Sequence, residues 1–190
     1  MQQVFGDFIP PDGEQEYLII RFSPMAASLQ QLWRNNGLSA DFVAEYWGTF
    51  FASIDALSPQ RQLEIKGAIN YLANELMENV MKFSYRLVSF PVTLGLYMLE
   101  TEFRLYSINA IDPQAVEAFQ SRIHDLLTGD TQALYLQQLE YNLQNEDGGS
   151  SQLGLLTMLN DYGVRLAWCF EVTPQRPDQV VLTTMVRLDL

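Results

Sequence analysis

The chain holds little of what most often does chemistry unaided: one cysteine and one histidine in 190 residues. A single cysteine excludes an internal disulfide. Cys169 stands in the apolar run Leu166-Ala-Trp-Cys-Phe170 and reads as a small buried hydrophobe. His124 reads as a surface residue of a helix. Basic residues are also scarce, 11 against 23 acidic, for a net charge of −12. That balance excludes the basic footprint of a nucleic-acid binder and disfavours an anionic membrane surface. No apolar run is long enough to span a bilayer, and the N-terminus has no basic stretch followed by an apolar one. The expectation is a cytoplasmic protein with no membrane partner and no nucleic-acid partner. Internal repeats, low-complexity tracts and long linkers are absent too, which leaves one domain.

What is present suits a sizeable core, since 48% of the residues are hydrophobic. Residues 1–16, with Pro10-Pro-Asp-Gly13, read as a loose arm ending in a turn, and 17–190 as the domain. Tyr17 to Phe22 is rich in β formers and predicts an edge strand. A short helix over Ser28–Trp33 and a second, N-capped at Ser39, come next. The second carries Phe42, Tyr46, Trp47, Phe50 and Phe51, a stripe for a core, a dimer interface or a wall that stacks on a flat ligand. Ser58-Pro59 starts a long helix that the pattern carries to Arg86–Ser89. Val92–Met98 and Phe103–Ile108 predict a hairpin, and Pro113 opens a helix to about Leu127. Thr131–Asn145 predicts another helix, with Leu134, Leu136, Leu139 and Leu143 as its apolar set. The glycine and serine loop 145–152 leads into a helix from Leu153, and two terminal strands follow. This order predicts an α/β class, a two-layer α/β sandwich with a mixed, mostly antiparallel sheet and helices on one face.

The long helix organises the rest. At about 100° per residue, Ile65, Ile69, Leu72, Leu76, Val80 and Phe83 share one face. Glu75, Asn79, Lys82 and Arg86 share a neighbouring strip of one carboxylate, one amide and two cations. A carboxylate polarises a hydroxyl, an amide oxygen ligates a hard cation, and lysine meets phosphate charge. The same spacing also serves a solvated face with i,i+4 pairs such as Glu78 with Lys82.

Glu75-x-x-x-Asn79-x-x-Lys82-Phe-Ser resembles the N-box of the gyrase, histidine-kinase and MutL ATP-binding superfamily, the GHKL or Bergerat fold. The resemblance implies a catalytic role for Glu75, Mg²⁺ ligation by Asn79 and a phosphate neighbour in Lys82. Gly148-Gly149-Ser-Ser-Gln-Leu153-Gly154-Leu155 resembles the second glycine box, whose backbone N–H groups meet phosphate. The first glycine box is replaced by Asn109-Ala-Ile-Asp-Pro113, which puts Asn109 where the family has its adenine-reading aspartate. Within the superfamily the layout is similar to SiaB-type protein kinases, anti-sigma-factor-like regulators that switch a STAS-domain partner. ATP or ADP with Mg²⁺ is the implied ligand, and a serine kinase the implied activity. Two alternatives stand beside it. One is a non-enzymatic redox or light sensor holding FAD, its isoalloxazine against Trp33, Tyr46, Trp47, Phe50, Phe51 and Trp168. The other is a pseudo-ATPase that only docks a partner. The aromatic stripe of the first two helices also predicts a homodimer.

Overall fold

The structure is a computed structural model that describes residues 1–13, 15–22, 36–51, 58–85, 87–144, 153–173 and 176–190. Four expected features lie outside the described residues. They are the short helix at Ser28–Trp33 with its Trp33, Arg86, the side chains of Phe50 and Phe51, and the glycines Gly148 and Gly149.

Among the described residues, six strands form one sheet. They are β1 (Gln2–Phe5), β2 (Glu16–Phe22), β3 (Val92–Met98), β4 (Glu102–Ile111), β5 (Arg165–Thr173) and β6 (Arg176–Asp189). Their spatial order is β1-β5-β6-β4-β3-β2, and every pairing is antiparallel. The expected mixed sheet is therefore antiparallel throughout, and β2 is an edge strand as its sequence predicts. Register fixes the two faces, because successive side chains alternate. Leu94 stands opposite Ser107, Ser107 opposite Thr184, and Thr184 opposite Trp168. That row and its i±2 neighbours face the helices.

The helices are α1 (Asn36–Phe51), α2 (Pro59–Phe83), α3 (Val116–Thr128), α4 (Thr131–Gln144) and α5 (Gly154–Tyr162), with a 3-10 turn at Pro113–Ala115 before α3. In α2, Ile65, Ile69, Leu72, Leu76 and Val80 are buried at i,i+4 and i,i+3 spacing, and α1 packs beside it with Val43, Ala44 and Trp47. Ser58 caps α2 by accepting from the Arg61 N–H at 3.2 Å, with Pro59 in the first turn. Among the described residues, no helix is long and apolar enough to cross a membrane.

Several expectations need correction. Residues 2–5, expected within a loose arm, pair with Trp168–Glu171 as an edge strand. Their side chains are mostly exposed, so the backbone ladder holds them without an apolar signature. Gly6 follows at φ +70°, a conformation that costs a residue with a Cβ, and a Cβ there would stand 2.7 Å from the Leu166 carbonyl oxygen. The chain then lays Phe8 and Ile9 on the second sheet face, against Tyr97 and Tyr106, whose hydroxyl donates to the Ile9 carbonyl at 2.9 Å. Ser39 lies inside α1 (Asn36–Phe51) and is not its cap. Helix α2 stops at Phe83 because Ser84 and Tyr85 turn to the sheet: Ser84 bridges Ile111, and the Tyr85 N–H donates to the Ala110 carbonyl. Phe83, expected in the buried seam, is consequently 53% exposed. On α4, Leu134 packs toward the core, while Leu136 and Leu143 face outward.

Candidate functional site

A cavity of about 780 Å³ opens between α2 and α3 over the middle of the sheet. Glu75, Asn79 and Lys82 come to its wall from α2, Asn109 from β4, and Leu153 and Gly154 from the start of α5. Six of the eight residues singled out in the sequence thus line one space, and the remaining two are the undescribed Gly148 and Gly149. Four separate segments of the chain meet here: α2, the β4–α3 stretch, α5 and the β5–β6 hairpin.

Glu75 and Gly154 fit each other tightly. A Cβ on Gly154 would overlap Glu75 Oε2 and stand 3.0 Å from its Cδ, so only glycine leaves the carboxylate this position. Among the described residues, helix α5 has no side-chain cap on its first N–H groups, and Glu75 stands beside that end. Burial raises the Glu75 carboxyl above its ordinary value, Glu78 adds to the rise, and Lys82 opposes it. Below Glu75 the rings of Tyr71 and Tyr162 stack at 4.8 Å. Burial is the main reason the Tyr71 hydroxyl is pushed up to about 12.

Asn109 lies inside β4 and not in a turn after it, and it is 3% exposed. Its Nδ2 donates to Ser84 Oγ at 3.2 Å and to the Ala110 carbonyl at 3.3 Å. Both amide hydrogens are thereby engaged, which leaves Oδ1 as the atom able to accept from a ligand. Lys82 donates to Glu78 Oε2 at 3.1 Å, the i,i+4 pair that the helix spacing allows. Glu78 also accepts from Asn74 at 3.5 Å.

Sequence reasoning did not pick out Ser107, Thr184 or Arg122, which also belong to this wall. Ser107 and Thr184 place hydroxyls on the sheet floor, on neighbouring strands at the same level. Trp168 was assigned to an aromatic slot but adjoins Thr184 on the floor. Arg122 comes from α3; Ala115 at the end of the preceding turn and Ala118, Phe119, Arg122 and Leu126 of α3 line the cavity at i, i+3, i+4, i+7 and i+11. One charged residue in an otherwise apolar stripe is the signal that points to it. Of the remaining aromatics of that slot, Trp47 is buried in the α1–α2 core, and Tyr46 donates to Glu16 at 3.1 Å. Neither lines the cavity. Among the described residues, no group of three or more His, Cys, Asp or Glu is placed to hold a metal ion.

The fold and cavity define an α/β sandwich with an internal small-molecule-sized site between its helical layer and its sheet. The sequence matches no protein-family model and no curated protein. By structure the chain is similar to one in the crystal structure of the SiaB-SiaC complex from Pseudomonas aeruginosa. The TM-score is 0.56 at 15% identity, over 92% of this chain and 92% of that one. At that identity the likeness is one of fold.

Proposed function

We propose that the cavity is an adenine-nucleotide site of the GHKL kind, and that the protein is a signalling regulator acting on a protein partner. The observation that carries this reading is convergence. Glu75, Asn79 and Lys82 from α2, Asn109 from β4, and Leu153 and Gly154 at the start of α5 line one cavity. Its volume of about 780 Å³ lies within the usual span of small-molecule sites. Mg²⁺ needs few protein ligands when a polyphosphate and water supply the others. Asn79 offers it an amide oxygen on the cavity wall without an acidic cluster. The ion's contribution, when bound, is to neutralise phosphate charge. Asn109 Oδ1 accepts from the adenine amine. Glu75 orients the hydroxyl of a partner serine, and its raised pKa brings it closer to the range of a general base.

The solved structure with the similar fold is a complex of two proteins, which supports a partner here. A STAS-like domain is the partner that the resemblance to SiaB-type kinases favours. The flavin alternative loses ground because the described slot aromatics other than Trp168 stand outside the cavity wall. Titration of the ligand-stripped protein with ATP, ADP and FAD, each with and without Mg²⁺, tests the proposal. Mg²⁺-dependent ATP binding is the expected result. Tight, Mg²⁺-independent FAD binding with no ATP binding would replace the regulator by a flavin sensor.

A further inference from the structure

The lining of the cavity contains two buried donors that the nucleotide reading has not used. Arg122 Nη2 is buried and has no hydrogen-bond partner among the described residues, and none of their ion pairs includes Arg122. Trp168 is 0% exposed, and its Nε1 likewise has no acceptor among the described residues. Both residues belong to the wall of the same cavity. The packing explains why they share a region. Phe119 meets Phe170 at 6.1 Å, which sets α3 over β5, and Arg122 follows Phe119 on the cavity stripe. Trp168 precedes Phe170 by two on the same face of β5, at the level of Thr184 and Ser107.

Buried donors in native structures are nearly always satisfied, and an unsatisfied one calls for a partner. Here the two are a guanidinium and an indole N–H, both donors only. Their complement is an anionic group with several acceptor oxygens. Lys82 is the cation that the N-box resemblance assigns to phosphate, but it is already paired with Glu78 at 3.1 Å. Among the described residues Arg122 has no such carboxylate, and its planar fork suits phosphate oxygens better than an ammonium does.

We infer that Arg122, assisted by the Trp168 indole N–H, holds the polyphosphate of the cavity ligand from the α3 wall. The inference rests on the nucleotide reading for the rest of the ligand, though not for its anionic part. Calorimetric titration with ATP and, separately, with sodium tripolyphosphate tests it, both in Mg²⁺ buffer. The proteins are wild type, Arg122→Met, Arg122→Lys and Trp168→Phe, each checked by its thermal unfolding. A hydrogen bond to a charged group converts to a loss of more than about tenfold in affinity for Arg122→Met. Arg122→Lys keeps the charge and recovers part of that loss. Trp168→Phe keeps the ring and loses about threefold, the scale of one hydrogen bond. If Arg122→Met does not fold, the other two variants carry the test by the same losses. Wild-type binding of tripolyphosphate but not ATP, weakened in Arg122→Met, would end the nucleotide reading and keep this one. ATP affinity within about twofold of wild type in the folded Arg122 variants would overturn this inference and leave the nucleotide reading standing. Binding of neither ligand to wild type would overturn both.

Discussion

Glu75 is a carboxylate held in a place that disfavours its charge. Burial, then Glu78, raises its pKa, and Lys82 only partly offsets them. A folded-state value above the unfolded one favours the protonated form. The stabilisation is therefore fully present below the ordinary value of 4.5 and is lost as pH rises through the folded-state value. Glu75→Gln keeps the shape beside Gly154 and removes the ionisation. Its stability relative to wild type is expected to rise with pH across the range just above 4.5 and to stay higher at neutral pH. Urea unfolding at a series of pH values from 4 to 8 measures it, and a pH-independent difference would show that Glu75 is not strained by its charge. At this scale helical spacing puts Glu75, Asn79 and Lys82 on one strip, and the N-box resemblance is what marks that strip out from a solvated face. The sequence did not reveal Arg122 as a cavity residue, since an arginine beside apolar neighbours on a helix also describes a snorkelling surface side chain. Nor did it reveal that Asn109 sits within β4, because Asn109-Ala-Ile-Asp-Pro113 has the composition of a turn.

Helix α2 shows what periodicity can and cannot fix in an element. Its core seam is set by spacing, and Leu72 is 0% exposed at its centre. Leu72→Ala is expected to cost about 2–5 kcal/mol, as large-to-small changes in packed cores do. Phe83 belongs to the same periodic face but is 53% exposed, so Phe83→Ala is expected to stay within about 1 kcal/mol. Denaturant midpoints of the two variants provide the check, and equal losses would mean that Phe83 is packed after all. The difference arises where the helix ends, and that end is fixed by Ser84 and Tyr85 bonding to Ile111 and Ala110 on β4. Such a tertiary bond leaves no trace in the local sequence. Strand β1 escaped notice for a related reason, because its ladder to β5 is made by backbone groups across some 165 residues of chain. The apolar strands β3 and β5, by contrast, were readable within a residue or two.

The whole molecule joins these elements through a topology that local pattern does not encode. The first strand lands beside the fifth, and the last lies between β5 and β4 at the centre of the sheet. That arrangement puts Trp168, Thr184 and Ser107 in one row under the cavity, with α2 and α3 as its sides. The order of strands and helices in the sequence was enough to anticipate an α/β sandwich; the register that makes its floor polar was not. We propose that this cavity holds a nucleotide through Mg²⁺ at Asn79. The most direct measurement is calorimetric titration of ATP, with and without Mg²⁺, into wild type and Asn79→Ala. Wild type is expected to bind ATP at least about tenfold more tightly with Mg²⁺ than without, and Asn79→Ala to lose that difference. An Asn79→Ala protein that keeps the full Mg²⁺ dependence, or a wild type that binds no ATP, would contradict the account.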